Sequence, residues 1–463
     1  MEKQKVTLEK IVSLAKRRGF AFPSSEIYGG MANTWDFGPY GTLLKNNIRD
    51  LWWKTFITDR DDIVGIDASI FLSPKVWEAS GHIAGFTDAL IECKNCHNRT
   101  RADHLIEDNL KDIKVEGLPV EELDKLIAEN KLNCPTCGHF DWTPVRRFNL
   151  LFETSIGIVE ESKSKAYLRG EIAQGIFLNF KNVLDSMRVK IPFGIAQQGK
   201  AFRNEITMGQ FVHRTLEFDL MEFEYFIRPE DWEEKYEYWS QQMWQFALDL
   251  GLKEENLRWR EHEEFERSHY SQKTMDIEYK YPFGFKEVWG LAYRTDFDLR
   301  NHAEHSGKDL SYFDDEKGER FIPHVIEPTF GLSRLVSITL FDAYHEEEKD
   351  GKTRIYLALD PKIAPVKAAV FPLLANKPDL VAKAQEVYQM LKQNINGAIE
   401  FDDRGNIGKR YLSQDEIGTP FCVTVDFDTL NDDSVTVRHR DTTEQERVKI
   451  QDLTDFITRP VSR

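Results

Sequence analysis

Four cysteines have the clearest chemical signature in this sequence. Cys93 and Cys96 form one CxxC pair, and Cys134 and Cys137 form a second. Each pair places two thiolates on one tight turn, and two such turns complete the tetrahedral shell of a structural Zn²⁺ ion. The segment between the pairs is longer than in common zinc ribbons, which indicates an insertion. The pattern predicts bound zinc, and unliganded reduced cysteines are the alternative.

The segment 202–224 combines basic, acidic and aromatic side chains. It contains, in order, Arg203, Asn204, Glu205, Arg214, Phe218, Glu222 and Glu224. Successive residues of a strand point to opposite faces, so Glu222 and Glu224 are expected on the same face. Carboxylates on a sheet face are commonly solvated. The nearby arginines favour a different interpretation, a site that holds a phosphate beside a cation.

A second segment, EPTFGLSR (327–334), places Glu327, Thr329 and Arg334 around a glycine turn ahead of an apolar helical run. Taken alone, Arg334 also fits an exposed position at the start of a helix. The sequence contains no GxxxxGK[ST] loop, no GxGxxG before a helix and no GxSxG elbow. A nucleotide would therefore be bound without those devices.

Regular hydrophobic spacing predicts the elements that must position these residues. Helical spacing is present over 42–56, 232–250 and 380–391, and strands are predicted over 217–227, 286–300, 421–427 and from 355 to Pro361. Helices and strands do not alternate regularly enough for a parallel sheet. The sequence therefore predicts an α+β fold, an antiparallel sheet with helices packed around it.

A charged stretch, HEEEKDGK (345–352), separates two hydrophobic parts of the chain and is interpreted as a linker. It divides the chain into a predicted domain over 1–352 and a smaller α/β domain over 353–463. The cysteine pairs fall in an insertion at about 89–148 of the first domain.

Composition limits the class of protein. With 463 residues, 41% hydrophobic and 30% charged, the chain can build sizeable cores and is not disordered. No apolar run approaches the roughly 18 residues of a membrane span, and the polar start, Met1–Lys10, predicts no secretory or transit peptide. Five cysteines are too few for a disulfide scaffold, so a cytoplasmic location is predicted. The net charge of −17 discourages non-specific nucleic-acid binding.

Several of these segments resemble motifs of the class II aminoacyl-tRNA synthetases. FRNE (202–205) with the residues after it is similar to motif 2, GLSR (331–334) to motif 3, and the Gly38-Pro39 turn with its helix to motif 1, the dimerisation element. Longer strings resemble the homodimeric glycyl-tRNA synthetases: YGGMANTWDFGPYG (28–41), SGHIAGFTD (80–88), RADHLIED (101–108), AQGIFLNFKN (173–182), HVIEPTFGLSR (324–334) and GKRYLSQDEIGTPFCVTVD (408–426).

The resemblance implies an activity, a fold and partners. The expected reaction is ATP-dependent attachment of glycine to tRNA(Gly) through a glycyl-adenylate, by a homodimer that uses Mg²⁺ with ATP. The expected fold is a class II antiparallel-sheet core with a zinc-bearing insertion and a C-terminal anticodon-binding domain. The same adenylate allows a side activity, diadenosine polyphosphate synthesis, when a second ATP attacks it.

The resemblance also implies roles for individual residues. Catalysis is expected from Arg203, Glu205 and Arg334. Glycine is expected to contact Arg101, Glu171, Glu222, Arg294, Glu327 and Thr329. ATP is expected to contact Arg203, Asn204, Glu205, Arg214, Phe218, Glu287, Val288, Gly331 and Arg334. In this scheme Arg203 binds the α-phosphate, Phe218 stacks on adenine, and Glu287 faces the metal–ATP complex.

Four residues depart from the family pattern: Gly170 and Ile172 replace a proline and a threonine, Leu216 replaces a common arginine, and Leu220 lies near a position that is often polar. Two alternatives stay open at this point. One is a non-catalytic relative that serves for binding and dimerisation, which would be expected to lose the phosphate arginines. The other is a synthetase of the same subclass for serine, threonine, proline or histidine.

In the predicted anticodon-binding domain, Arg404, Lys409 and Arg410 form a basic cluster beside Tyr411. Cations on phosphates and aromatic stacking are how single-stranded RNA is commonly bound. An ordinary solvated loop explains the same residues. We expect Arg410→Ala to weaken tRNA binding and to leave adenylate formation unchanged.

Overall fold

The computed structural model describes residues 6–110, 113, 115, 117–158, 164–206, 211–349 and 351–459. The predicted domains extend beyond these residues at 1–5 and 460–463, and the predicted insertion includes 111, 112, 114 and 116. All of these lie outside the described part of the chain, as does 207–210 of the segment similar to motif 2.

The described α-helices follow one another as α1 (Leu8–Arg18), α2 (Pro39–Trp53), α3 (Pro74–Ala79), α4 (His82–Gly85), α5 (Ala102–Asn109), α6 (Val120–Glu129), α7 (Ala173–Ser186), α8 (Trp232–Asp249), α9 (Phe297–Ser306), α10 (Leu332–Ala343), α11 (Pro378–Asn394), α12 (Ile407–Ile417), α13 (Thr429–Asp432) and α14 (Leu453–Thr458).

The described strands are β1 (Ala21–Pro23), β2 (Trp35–Phe37), β3 (Ile63–Ile66), β4 (Phe71–Leu72), β5 (Thr87–Glu92), β6 (Arg99–Arg101), β7 (Arg146–Asn149), β8 (Glu153–Ile156), β9 (Ser164–Leu168), β10 (Phe193–Phe202), β11 (Glu217–Ile227), β12 (Leu257–Glu261), β13 (Lys273–Tyr281), β14 (Gly284–Thr295), β15 (Tyr312–Asp314), β16 (Glu319–Phe321), β17 (His324–Gly331), β18 (Tyr344–Lys349), β19 (Lys352–Leu357), β20 (Val366–Pro372), β21 (Ala398–Phe401), β22 (Phe421–Val425), β23 (Ser434–His439) and β24 (Gln445–Lys449).

A seven-stranded sheet forms the centre of the larger part, in the order β12-β13-β14-β17-β11-β10-β3. Its pairs are antiparallel except for β10 with β3. The prediction of an antiparallel sheet surrounded by helices is confirmed. This sheet places residues of β11, β14 and β17 side by side.

The two faces of β11 differ as the alternation of its residues predicts. Phe223, Tyr225 and Ile227 pack into an apolar core together with residues of α2, α8 and α10, among them Trp52 and Trp239. The opposite face presents carboxylates towards α7 and α9. The strong apolar face fixes the register of the strand, because a slip by one residue would move every carboxylate into the core.

The C-terminal part is a five-stranded sheet in the order β21-β20-β22-β23-β24. Strand β20 is parallel to both β21 and β22, and α11 packs its Leu380, Ala384, Val387 and Leu391 into a separate core. The prediction of a small α/β unit with a helix near 380–391 is confirmed.

Two strand predictions and the linker prediction are wrong in detail. Strand β14 ends at Thr295, whose φ is +55°, so the chain turns there and α9 follows instead of a strand to 300. Strand β19 ends at Leu357 rather than at Pro361. The charged stretch 345–352 is no free linker, because its described residues belong to the antiparallel hairpin of β18 and β19.

The cysteine-bearing segment has a small core of its own. Strands β6, β5 and β7 form a three-stranded sheet, and Ala89, Leu105, Leu123, Ile127 and Val145 are among the residues buried against it.

Among the helices that the structure describes, none combines the length and the apolar character needed to cross a membrane.

Candidate active site

A cavity lies against β11, β14 and β17 of the central sheet and is lined by most of the predicted site residues. The carboxylates in its wall are Glu171, Glu205, Asp219, Glu222, Asp276, Glu287 and Glu327. The arginines in its wall are Arg203, Arg214 and Arg334, joined by Phe218, Thr329, Val288 and Gly331. Residues that are far apart in the sequence therefore meet in one place.

The strand register explains one end of this cavity. Glu222 of β11 lies opposite Thr329 of β17, and Glu327 lies two residues before Thr329 on the same face. Glu222 is 1% exposed and Glu327 is 8% exposed. Glu171, from the loop between β9 and α7, completes the group at 7% exposed. Three largely buried carboxylates thus lie together at one end of the cavity.

Arg294 of β14 lies at the centre of these carboxylates without lining the cavity. Its Nη1 is 3.0 Å from Oε2 of Glu327, and its Nη2 is 3.7 Å from Oε1 of Glu171. Its Nε and Nη2 donate to Asp298 at 2.8 and 3.0 Å. A buried guanidinium with this many acceptors is held rigidly, and it orients Glu327 towards the cavity.

The sequence analysis did not identify three further residues, His82, Gln174 and Asp298, that surround or support Glu171. His82 Nε2 is 3.3 Å from Oε2 of Glu171, and Gln174 Nε2 donates to Oε1 of Glu171 at 2.8 Å and to Asp298 at 2.9 Å. The strings 80–88 and 173–182 contain two of them, but no spacing rule connects α4, α7 and α9.

The carboxylates of this group differ in their acidity. Burial opposes ionisation of Glu171, but the charges of His82 and Arg294 hold the pKa of its carboxyl below the ordinary value. Burial, followed by repulsion from Glu327 and Glu171, raises the pKa of Glu222 well above the ordinary value. Burial also raises the pKa of Glu327. A cation that enters the cavity would stabilise the charged forms.

Arginines and an aromatic ring dominate the other end of the cavity. Arg203 donates from Nε to the carbonyl of Gly170 at 3.0 Å. Its guanidinium lies 5.3 Å from the ring centre of Phe218 and 5.1 Å from that of Phe86. Among the described residues, the two Nη nitrogens of Arg203 make no hydrogen bond and are therefore available to a ligand, and the aromatic rings fix the plane in which they lie.

The other two arginines each pair with a carboxylate. Arg334 Nη1 is 2.9 Å from Oε1 of Glu287, and Arg214 Nη1 is 3.7 Å from Oε2 of Glu205. Burial opposes ionisation of Glu287, but Arg334 and Arg203 keep the pKa of its carboxyl below the ordinary value. Alternating charges of this kind suit a polyphosphate accompanied by a divalent cation.

Besides Arg294, two predicted site residues do not line the cavity within the described part of the chain. Arg101 pairs instead with Asp88 at 3.1 Å and with Asp103. Asn204 donates its backbone N–H to Leu150 at 2.9 Å. Their contacts with glycine and ATP stay predictions that this geometry does not favour.

The departures from the family pattern lie next to the cavity. Ile172 and Leu220 pack together with Ala201 in one buried cluster, against which Phe218 rests. The carbonyl of Leu216 accepts the backbone N–H of Arg203 at 2.9 Å. Two of the four departures therefore belong to the same buried apolar cluster.

The four cysteines converge as their spacing predicts. Cys93 Sγ is 3.6 Å from Cys137 Sγ, and Cys96 Sγ is 3.6 Å from Cys134 Sγ. The four sulfur atoms lie within 4.8 Å of one another. Thiolates at tetrahedral corners about 2.3 Å from zinc are about 3.8 Å apart, so the residues fit a zinc ion.

The interpretation of Arg410 as part of an exposed basic cluster is wrong. Its side chain is 2% exposed, and it donates to the carbonyls of Arg404, Asp403 and Gly405 at 3.1, 3.0 and 2.9 Å. A guanidinium can satisfy several carbonyls at once, so this arginine organises the loop before α12. Lys409 and Arg404 are exposed.

Comparison with known proteins extends these observations to the whole chain. Residues 367–459 match the family described as "Anticodon binding domain". The chain is 53% identical to the "Glycine--tRNA ligase" of Caldanaerobacter subterraneus subsp. tengcongensis over 457 residues, 98% of each chain. It is 51% identical to that of Clostridium acetobutylicum over 461 residues, 98% of this chain and 99% of the relative. The corresponding protein of Geobacillus thermodenitrificans is 50% identical over 461 residues, 98% of each chain. Similarity of this extent shows that the chain belongs to the glycine–tRNA ligase family.

Proposed function

We propose that this chain attaches glycine to tRNA(Gly) in two steps. In the first step the carboxylate of glycine attacks the α-phosphorus of ATP, which forms glycyl-adenylate and releases pyrophosphate. In the second step a hydroxyl of the terminal ribose of tRNA takes the glycyl group and releases AMP. The observation that supports this proposal best is the single cavity with carboxylates at one end and arginines at the other.

Glycine offers no side chain to recognise, so its ammonium must supply the binding energy. We assign the ammonium to Glu171, Glu222 and Glu327. The raised pKa values of Glu222 and Glu327 reflect a site short of positive charge, whereas His82 and Arg294 hold the pKa of Glu171 below the ordinary value. Arg294 orients Glu327, and Thr329 narrows the space in which a larger amino acid would place its Cβ atom. Steric exclusion of this kind discriminates more strongly than the loss of one methylene, worth about 1–3 kcal/mol.

The reaction at phosphorus develops negative charge on the phosphate oxygens, which fixed positive groups stabilise. We assign the α-phosphate and the glycine carboxylate to Arg203, and adenine to the face of Phe218. Arg334 and Arg214 bind the distal phosphates. Glu205 holds Arg214 in place at 3.7 Å, which explains its predicted part in catalysis without contact to the reacting atoms.

Two metal ions accompany this proposal. Glu287 lines the cavity beside Arg334, and its ionised carboxylate suits Mg²⁺, which neutralises phosphate charge when it is bound with ATP. The four cysteines suit Zn²⁺, and a full thiolate shell leaves no open position for a substrate. The zinc site therefore stabilises the insertion and has no part in the chemistry.

We further propose a catalytic domain over 1–352 with the class II core and the insertion at about 89–148, and an anticodon-binding domain over 353–463. The exposed apolar residues Ile27, Tyr28 and Met31, next to the segment similar to motif 1, support a homodimer. A cytoplasmic location follows from the proposal, because ribosomes use the product there. Diadenosine polyphosphate synthesis stays a prediction.

The proposal is tested by exchange of labelled pyrophosphate into ATP. With Mg²⁺ present, exchange is expected to require glycine and to be absent with serine, threonine, proline or histidine. Exchange with one of these amino acids, and not with glycine, would support a different synthetase. The absence of exchange by well-folded protein with every amino acid would support the non-catalytic alternative.

A further inference from the structure

Glu224 lies behind the carboxylates assigned to glycine and contacts neither glycine nor ATP in the proposed reaction. It follows Glu222 by two residues on β11 and points to the same face of the sheet. Its side chain is 0% exposed. Among the residues that the structure describes, neither of its carboxylate oxygens has a hydrogen-bond partner. A buried group of this kind is costly unless it serves a purpose.

Two other carboxylates lie close to Glu224. One oxygen from each of Glu222, Glu224 and Glu327 lies within 4.8 Å of the others. Carboxylates this close, and removed from water, do not all ionise, because repulsion favours the retention of a proton. Glu222 and Glu327 line the cavity and can be neutralised by an ammonium ion, whereas Glu224 is not part of the cavity wall.

The surrounding elements supply more acids than bases. The charged groups that act on Glu224 are Glu222 on β11, Glu327 on β17, Arg294 on β14 and Asp298 on α9. Glu171 before α7 acts on Glu222, and His302 on α9 lies beside Asp298 and Arg294. Arg294 already pairs with Asp298 and Glu327. Burial, followed by repulsion from Glu327, raises the pKa of Glu224 well above the ordinary value.

We infer, on the basis of the proposed function, that Glu224 is a positioning residue of the glycine site, a neutral carboxylic acid packed directly behind the carboxylates of Glu222 and Glu327. Because Glu224 keeps its proton, the negative charge of the cluster falls, when glycine binds, on the oxygens that glycine can reach. The uncharged side chain of Glu224 fills the space behind the two carboxylates and limits the directions in which they can turn.

Paired substitutions test the protonation state. Glutamine at position 224 keeps a donor without charge, so Glu224→Gln is expected to keep KM for glycine in pyrophosphate exchange within about twofold of the unmodified protein. Glu224→Ala opens a space behind Glu222 and Glu327 into which their carboxylates can turn, so KM for glycine is expected to rise by about tenfold or more, with KM for ATP unchanged. The matched control is Glu222→Gln, the same chemical change at a residue assigned to the ammonium, which is expected to raise KM for glycine.

An infrared difference spectrum between the unmodified protein and Glu224→Gln provides a readout independent of catalysis. At neutral pH it is expected to contain the C=O stretch of a protonated carboxyl group, shifted in heavy water. This measurement stays decisive when Glu224→Ala fails to fold. Absence of the band, or a rise in KM for glycine in Glu224→Gln like that in Glu222→Gln, would overturn the inference. The proposed function itself would fail only when the unmodified protein shows no glycine-dependent exchange.

Discussion

In the proposed reaction, Arg203 binds both ligands, the α-phosphate of ATP and the carboxylate of glycine. Its guanidinium is held by the carbonyl of Gly170 and lies between the rings of Phe86 and Phe218. Only a planar group with several donors can remain stacked in this way and still bind two oxygens of a phosphate.

We therefore expect Arg203→Lys to reduce kcat for glycine-dependent exchange by about a hundredfold or more, although the charge is kept. Steady-state kinetics of exchange check this outcome. Arg320→Lys provides a matched control, because Arg320 is exposed and pairs with Asp309 far from the cavity. Equal effects of the two substitutions would contradict the assigned role.

Glu222 is predicted to lower the stability of the ligand-free protein and to strengthen the binding of glycine. Its pKa is raised in the folded chain, so above the ordinary pKa the unfolded chain releases a proton that the folded chain retains, and stability falls as pH rises. Glutamine cannot ionise. Glu222→Gln is therefore expected to increase the free energy of unfolding of the ligand-free protein by at least about 1 kcal/mol at about pH 8, and by less at about pH 5.

Denaturant unfolding at the two pH values checks this prediction. The same variant is expected to bind glycine more weakly, so the two effects have opposite signs. A loss of stability at the higher pH would show that the carboxylate is already compensated in the ligand-free protein.

The sequence predicted which face of the strand Glu222 and Glu224 occupy, but it did not predict the environment of that face. Alternation along 217–227 placed Glu222 and Glu224 on one face, as observed. It could not show that both are buried, because burial depends on α7 and α9, which come from other parts of the chain. For the same reason Asp298, which holds Arg294, was missed.

At the scale of elements, the cysteine-bearing segment folds around its own small core, and its two turns hold the sulfur atoms together. Four thiolates at this spacing repel one another unless a cation or protons lie between them. The segment is therefore predicted to depend on zinc.

We expect Cys134→Ser to lower the zinc content from about one ion per chain and to increase hydrogen exchange in β5, β6 and β7, while the central sheet keeps its protection. Mass spectrometry of exchanged peptides and metal analysis check this. Cys422→Ser is the control, because Cys422 is buried in β22 away from the other cysteines. Unchanged exchange in Cys134→Ser would contradict a structural role for zinc.

Element boundaries were predicted well where apolar spacing was long and regular. The strand over 217–227 matches β11, and the helix over 232–250 matches α8 to within one residue. The charged stretch 345–352 was misinterpreted because a solvated hairpin and a linker share the same composition. Composition alone does not show whether the two halves of such a stretch pair as strands.

At the scale of the whole molecule, the N-terminal helices connect the two cores. Tyr40 of α2 donates to Glu400 at 2.6 Å, and Arg17 of α1 donates to Glu416 at 2.9 Å. Asn47 of α2 donates to the carbonyl of Ala364 at 2.9 Å. The helix similar to motif 1 thus contacts the C-terminal part as well as the central sheet.

Arg410 is buried, so its substitution is expected to affect the stability of the C-terminal part. Because the buried guanidinium of Arg410 donates to the carbonyls of Pro372 and of residues 403–405, Arg410→Ala is expected to destabilise the C-terminal part by at least about 2 kcal/mol. Lys409→Ala, at the exposed neighbouring position, is expected to weaken tRNA binding and to leave both stability and pyrophosphate exchange unchanged.

Thermal unfolding, exchange and aminoacylation of tRNA(Gly), measured on both variants, separate these effects. The sequence could not distinguish the two residues, because a basic residue in a loop has the same identity whether it faces phosphate or carbonyl groups. Normal stability of Arg410→Ala with a specific loss of tRNA binding would restore the original interpretation.

The central claim is that one cavity holds a small amine against carboxylates and a triphosphate against arginines, close enough for the two to react. A crystal structure with a non-hydrolysable glycyl-adenylate analogue tests it most directly. We predict the ammonium within about 3.2 Å of oxygens of Glu171, Glu222 or Glu327, adenine on Phe218, and Arg203 on the phosphate position. An analogue bound in this cavity with its ammonium turned away from all three carboxylates, or bound elsewhere on the protein, would contradict the account.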